Sequence, residues 1–150
     1  MRTLFEILMG ASLLIFIMII HGFGMYFVMH KFESHWPAYI NQKSEIRRQL
    51  FFGVLVAMML MTHMVEIMTW ALTLDLINAI PDLRTAFYFS GETYTTLGFG
   101  DVMLPHEWRQ LALLIAMSGL FSFGWTTGVL VSIVGKSYEE QFLHLRKKNK

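Results

Sequence analysis

The sequence contains no cysteine among its 150 residues. A chain without thiols has no disulfide bond, no thiolate metal site and no cysteine nucleophile. Charge is also scarce, since Asp, Glu, Lys and Arg make up 15% of the residues and the formal net charge is +1. No Ser-His-Asp order and no phosphate-binding loop rises above chance, so we expect no enzymatic chemistry.

Apolar residues dominate instead, at 55% of the chain, which is too much for an ordinary soluble domain of this length. A helix needs about 20 apolar residues to cross the hydrocarbon layer of a bilayer. Three segments qualify: residues 4–29, 50–74 and 111–135. The first is longer than a secretory signal core and no small-x-small cleavage site follows it. We therefore expect a retained membrane helix there, the alternative being a helix that lies in the interface.

Basic residues cluster in two polar segments, one between the first two apolar runs and one after the third. These residues are Lys31, Lys43, Arg47 and Arg48, then Lys136, Arg146, Lys147, Lys148 and Lys150. The connection between the second and third runs has more acidic than basic residues. The positive-inside rule predicts that both clusters are cytoplasmic and that this connection and the amino terminus are external. The basic tail is expected either to meet anionic lipid headgroups or to be solvated.

Residues 93–101 read Thr-Tyr-Thr-Thr-Leu-Gly-Phe-Gly-Asp. Gly98 and Gly100 occupy alternate positions, and glycine adopts left-handed backbone at little steric cost. Alternation between ordinary and left-handed conformations points successive carbonyls the same way, and such carbonyls replace the hydration shell of K⁺. We predict that K⁺ is bound at Thr96, Leu97, Gly98 and Phe99.

The run resembles the selectivity filter of the potassium channel pore-domain family, Thr-Thr-Val/Ile-Gly-Tyr/Phe-Gly-Asp. The matching residues are Thr95, Thr96, Leu97, Gly98, Phe99, Gly100 and Asp101. Leu97 stands where a β-branched residue is usual, and Phe99 where Tyr is commonest. The flanking residues 87–93 and 117–124 resemble the pore helix and inner helix of small bacterial channels. The resemblance covers about residues 50–136.

Together with the three apolar runs, this resemblance implies an all-α membrane protein with three transmembrane helices, a re-entrant pore helix and a filter loop; the first helix is an addition to the family's two-helix plan. It also implies a homotetramer in the cell membrane that conducts K⁺ passively. The predicted parts are an extra N-terminal transmembrane helix (residues 1–30), a cytoplasmic interfacial connector (31–49), the pore domain (50–136) and a cytoplasmic basic helical tail (137–150). The sequence has no repeat of arginine at every third position, so we expect no voltage-sensor domain.

Two other functions stay open. One is a weakly selective cation channel, because Leu97 and Phe99 alter the usual filter. The other is a channel-like membrane protein with a regulatory or metal-handling role that uses His, Met and Glu side chains. We expect no cofactor besides K⁺ as the permeant ion. The expected partners are K⁺, membrane lipids and further copies of the chain, with no nucleic acid.

The filter is expected to have support from the pore helix, predicted at residues 81–94 with Pro81 in its first turn. Glu92 is predicted to reach Asp101 behind the filter and to hold a proton near neutral pH, because two carboxylates that close cannot easily both ionise. The alternative for Glu92 is a solvated carboxylate at the outer mouth. Tyr88 and Phe89 are expected to pack around the filter, or to anchor the chain at the interface.

The third apolar run is expected to carry the gate. Gly119 matches the hinge glycine of the family's inner helix, while close helix packing is the alternative there and the preferred interpretation for Gly124. One helical stripe holds Leu120, Phe123 or Gly124, Thr127, Val131 and Gly135. We predict that Leu120 and Phe123 line the cavity, that Thr127 and Val131 form the inner constriction, and that Gly135 leaves the pore wide.

His21, His63 and Glu66 are ionisable residues within apolar segments, where such groups are costly unless they pair or meet water. Three interpretations stay open: hydrogen bonds that dock the first helix, proton sensing by histidine, and a metal site. The second helix is also rich in methionine, which is more often a flexible packing residue than a ligand. These methionines are Met58, Met59, Met61, Met64 and Met68. Without thiolates, copper is not expected.

Overall fold

A computed structural model describes residues 2–40 and 44–148. It contains α1 (Arg2–Ile40), α2 (Glu45–Leu76), α3 (Leu83–Tyr94), a short 3₁₀ helix (His106–Trp108) and α4 (Arg109–Lys148). Within the described residues there is no strand. Three helical segments are long and apolar enough to cross a membrane: Leu4–Tyr39, Glu45–Leu76 and His106–Glu139. The all-α fold class and the three membrane helices are therefore confirmed.

Helix α1 is longer than predicted, and it continues through residues 31–40, with Pro37 inside it, where a connector was expected. Phe32 and Trp36 lie one turn apart on it and are almost fully buried. Trp36 packs edge-on against Phe52 of α2, with ring centroids 5.4 Å apart. Because this apolar face is covered by α2, the helix persists into the polar segment.

Helix α2 begins at Glu45 after Ser44, which has the extended conformation of an N-cap but no side-chain capping hydrogen bond. Of the predicted connector, residues 45–49 are thus helical as well. Lys43 and Lys150 lie outside the described residues, as do the side chains of Lys147 and Lys148.

Helix α1 packs on both α2 and α4 of its own chain. It runs parallel to α4, because Glu6 contacts Gln110 at one end and Glu33 contacts Lys136 at the other. It runs antiparallel to α2, where His21 meets Glu66. All three membrane helices therefore meet at the level of His21.

The start of α4 is capped by α1. The Glu6 carboxylate, 4% exposed, accepts hydrogen bonds from the backbone amides of Gln110 at 2.5 Å and Leu111 at 3.2 Å. The first backbone amides of a helix have no hydrogen-bond partner within the helix, and the positive end of the helix dipole lies there and attracts a negative charge. Glu6 therefore holds the amino end of α1 against α4.

Helix α3 begins two residues later than predicted. Asp82 is its N-cap, and the Asp82 carboxylate accepts from the Thr85 amide at 2.9 Å and from the Thr85 hydroxyl. Pro81 therefore precedes the cap and does not lie in the first turn. With 12 residues, α3 is too short to span a bilayer. Its buried face packs into a core formed with α2 and α4, around Trp70, Leu74, Leu111 and Ile115.

Candidate ion pathway and buried polar cluster

The loop after α3 has an alternating backbone. Left-handed φ angles occur at Thr96 (61°), Gly98 (56°) and Gly100 (77°). The glycines were predicted to adopt this conformation, whereas Thr96, a β-branched residue for which it is strained, was not. Every second residue of the loop thus has a left-handed backbone, which is the alternation needed for successive carbonyls to point in the same direction.

The amides of this loop point toward α3. The backbone carbonyl of Glu92 accepts from the amides of Leu97 at 2.7 Å and Gly98 at 3.3 Å. The Glu92 carboxylate accepts from the amide of Phe99 at 3.3 Å. In a trans peptide the carbonyl points opposite to the N–H of the next residue. The carbonyls of Thr96, Leu97 and Gly98 therefore face away from α3, on the exposed side of the loop.

Tyr88 lies beside both Glu92 and Asp101, and within the described residues there is no direct hydrogen bond between these two carboxyl groups. Glu92 is 5% exposed and supports the filter amides. Asp101 is exposed and accepts a hydrogen bond from the Tyr88 hydroxyl at 3.1 Å. Desolvation and this bond to Asp101 raise the pKa of Tyr88. Phe89 is buried and Tyr88 is exposed, so the two aromatic residues predicted to pack around the filter lie in different surroundings.

Helix α4 runs unbroken through both glycines that were considered for bending. At Gly119 an added Cβ would overlap the carbonyl oxygen of Tyr94, so this position shows close packing of α4 on the end of α3. At Gly124 a Cβ would meet nothing within 4 Å in the single chain, so packing there stays a prediction about contacts with another copy. The predicted pore-lining stripe is exposed along α4, at Leu120, Phe123, Thr127, Val131 and Gly135.

The three intramembrane polar residues come together around a buried carboxylate. His21 and Glu66 are both 0% exposed, and His21 Nδ1 lies 2.7 Å from Glu66 Oε1. Glu66 Oε2 accepts from the hydroxyls of Tyr94 at 2.6 Å and Ser122 at 2.7 Å. A buried carboxylate with three donors is well satisfied. His21 and Glu66 thus form the interhelical hydrogen bond that was one of the three interpretations.

His63 extends this cluster toward α4. Its Nδ1 lies 2.8 Å from the Tyr94 hydroxyl oxygen, and its Nε2 lies 3.1 Å from Thr126 Oγ1. Its ring also packs against Phe123 of the exposed stripe, with centroids 4.6 Å apart. The cluster therefore joins α1, α2, α3 and α4 immediately beside the filter.

Sequence reasoning missed half of this cluster. Tyr94, Ser122 and Thr126 were assigned no role in it, and Glu6 was not considered. Two signals were available: Ser122 and Thr126 are four apart and so share a face of an apolar helix, and Glu6 is an isolated carboxylate in an apolar run.

A family model described as "Ion channel" matches residues 60–136, just over half of the chain. The chain belongs to this ion channel family. The matched range of the ion channel contains Glu66, the whole of α3, the filter and most of α4, whereas α1 with His21 lies outside it. No curated protein and no solved structure matches the chain. Membership of the family and the three apolar helices make the protein a membrane ion channel.

Proposed function

We propose that this ion channel conducts K⁺ selectively through residues 95–101 of a homotetramer. The observation that supports it most is the alternating backbone at Thr96, Gly98 and Gly100 together with the amides held by Glu92. This arrangement leaves successive carbonyl oxygens on one exposed side. Rings of such oxygens replace the hydration shell of K⁺.

The exposed side chains of the filter support assembly with further copies. Leu97 is 58% and Phe99 66% exposed in the single chain, beside carbonyls that form only one side of an ion site. Four chains around an axis would close the ring of oxygens and cover these apolar side chains. The exposed stripe on α4 from Leu120 to Val131 would then face the same axis.

The charge distribution supports an orientation in the cell membrane. Lys31, Arg47, Arg48 and Lys136 lie at the end of the bundle opposite the filter. By the positive-inside rule this end is cytoplasmic, and the filter mouth and the start of α1 are external.

A second candidate function is a weakly selective cation channel. Phe99 has no hydroxyl to tie the filter to the surrounding aromatic residues, and the nearby Tyr88 hydroxyl bonds to Asp101 instead. A less firmly held filter discriminates less between ions of different size. Selectivity is therefore the property to measure.

The test is K⁺ and Na⁺ flux through the purified protein in liposomes, with Gly98→Ala and Gly53→Ala as matched variants. Alanine at Gly98 must adopt the left-handed φ of 56° and is strained, whereas at Gly53 in α2 an added Cβ meets nothing within 4 Å. We expect the K⁺ flux to exceed the Na⁺ flux in the wild type. Gly98→Ala should abolish the K⁺ flux, and Gly53→Ala should leave it intact.

Other results of this test point elsewhere. Equal K⁺ and Na⁺ flux that Gly98→Ala still abolishes would establish the weakly selective alternative. Flux that survives Gly98→Ala would show that ions do not pass through this loop. Chemical cross-linking that stops at a number of copies other than four would contradict the proposed assembly.

A further inference from the structure

Three potential metal ligands surround the Thr126 hydroxyl. Thr126 Oγ1 lies 3.1 Å from His63 Nε2, 3.4 Å from His21 Nε2 and 3.8 Å from Met25 Sδ. Met25 is 2% exposed, and the histidines are also buried. The four side chains come from α1, α2 and α4, and none of them belongs to the filter.

The hydrogen bonds determine which ring nitrogens are free to bind an ion. The single hydroxyl hydrogen of Tyr94 is donated to Glu66, so His63 Nδ1 must donate to the Tyr94 oxygen. His21 Nδ1 likewise donates to the Glu66 carboxylate. In their neutral forms, both rings therefore direct an Nε2 lone pair toward Thr126. The single hydrogen of Thr126 can serve only one of these two nitrogens.

The three candidate ligand atoms converge on one small volume. His63 Nε2, His21 Nε2 and Met25 Sδ all lie within 3.8 Å of the same atom, Thr126 Oγ1. Two imidazoles on one ion have ring centres roughly 5 Å apart, and those of His21 and His63 are 5.5 Å apart. One potential ligand atom from each of His21, His63 and Glu66 lies within 4.8 Å of the other two, so the two imidazoles are close enough to share an ion.

The surrounding bonds resemble the support that metal-binding histidines usually have. Such histidines donate their other ring N–H to a carboxylate or another acceptor, which fixes the ring. Here Glu66 accepts from His21, and Tyr94, itself bonded to Glu66, accepts from His63. Glu66 and Tyr94 are therefore positioning residues for the two rings.

Charge and ligand type indicate the ion. Glu66 is the one carboxylate of the cluster; three hydrogen-bond donors satisfy its oxygens, and a nearby cation would also compensate a charge at this depth. A thioether with two imidazoles favours a soft, monovalent cation. We propose that Nε2 of His21, Nε2 of His63 and Sδ of Met25 bind one Cu⁺ per chain.

This site explains a role for α1 that the channel pore alone does not require, because the bound ion would join α1 to α2 and α4 behind the filter. The thioether that matters is Met25 on α1, whereas the methionines that stand out in the sequence are on α2. A proton on His21 Nε2, donated to Thr126, is the competing way to balance Glu66. The experiment must separate the two.

The test is metal retention by the full-length protein purified in detergent, under reducing and oxygen-free conditions, with a Cu⁺ chelator as competitor. We expect one Cu⁺ per chain, and X-ray absorption that shows nitrogen neighbours at about 2.0 Å and one sulfur at about 2.3 Å. Zn²⁺ titrated in the same way should bind more weakly. Because the readout is bound metal, the result does not depend on whether the channel conducts K⁺.

The matched variants are Met25→Leu and Met61→Leu. Both replace methionine with a side chain of similar volume, which cores tolerate, and Met61 is 62% exposed on α2. We expect Met25→Leu to weaken Cu⁺ binding at least about tenfold and to remove the sulfur neighbour, with no change in Met61→Leu. Loss of Cu⁺ to the chelator in the wild type would overturn the proposal and leave the proton as the balancing charge. Equal binding in both variants, or Zn²⁺ held more tightly without a sulfur neighbour, would also overturn it.

Discussion

Tyr94, the last residue of α3, donates a hydrogen bond to Glu66 of α2 over 2.6 Å. The next residue along the chain, Thr95, is the first of the proposed filter. Both Tyr94 and Glu66 are 0% exposed. The start of the proposed filter is thus anchored to a carboxylate of α2 through one hydroxyl group.

Removing that hydroxyl with Tyr94→Phe should destabilise the protein. Glu66 would keep only the His21 and Ser122 donors, and His63 Nδ1 would lose its acceptor. A buried polar group left unpaired costs about 1–3 kcal/mol, so we expect the free energy of unfolding in detergent to fall by about that amount. Tyr26→Phe, at a side chain that is 62% exposed, is the control. Equal stability of the two variants would show that the Tyr94 bond adds little.

Gly119→Ala should be more harmful than Gly124→Ala. The added Cβ at Gly119 would overlap a backbone oxygen of Tyr94, which cannot move aside as a flexible side chain can. Overpacking of this kind costs about 1–3 kcal/mol, to be measured by thermal unfolding. At Gly124 the site is open within the chain, so alanine should be close to neutral. If Gly119→Ala folds normally and changes only the gating kinetics, the hinge interpretation would be preferred.

Glu6→Ala should loosen the start of α4. The amides of Gln110 and Leu111 would lose their carboxylate acceptor, and loss of a helix cap costs about 0.5–2 kcal/mol. Hydrogen exchange should accelerate at these two amides in particular. Glu6→Gln keeps one acceptor oxygen and should lose less, and Glu139→Ala at an exposed position should change neither amide. Unchanged exchange in Glu6→Ala would contradict the capping role.

Acid should weaken the cap of α3. The hydroxyl and amide of Thr85 donate to the Asp82 carboxylate and lower the pKa of Asp82. The pKa of Asp82 is therefore lower in the folded state than in the unfolded state. The cap contributes its full stability above the unfolded-state pKa, and this stability is lost as the pH falls through the folded-state pKa. Asp82→Asn retains a capping oxygen without a titrating group, so its melting temperature should fall less on acidification.

The matched comparison is Asp82→Ala, which lacks the cap at every pH and should be less stable even at neutral pH. If the melting temperatures of the wild type and of Asp82→Asn fall equally on acidification, groups other than Asp82 cause the loss of stability in acid.

The apolar runs were sufficient to predict three membrane helices, because the length needed to cross a bilayer is a strong constraint. They did not predict the end of α1. His35 and Pro37 suggested a connector, yet the burial of Phe32 and Trp36 against α2 extends the helix, and that contact exists only once the helices pack. The start of α3 was misjudged in a similar way, since Asp82 rather than Pro81 makes the capping contact.

The candidate site was predictable where the chemistry is local. Gly98 and Gly100 indicated the left-handed positions, and the spacing of His63 and Glu66 indicated a shared helix face. The partners of these residues were not predictable, since Tyr94, Ser122 and His21 lie on three other helices. Their meeting at Glu66 depends on α1 lying beside both α2 and α4.

Helix α1 is joined to α4 near both ends and at its middle, through Glu6, His21 and Glu33. If the pore opens by a sideways swing of the basic end of α4, that movement must carry α1 with it or break the Glu33–Lys136 and His21–Thr126 contacts. In that case α1 would act as a mechanical load on the opening of the pore. The speed of opening would then be adjustable at the lipid-facing surface of α1, far from the path of the ions.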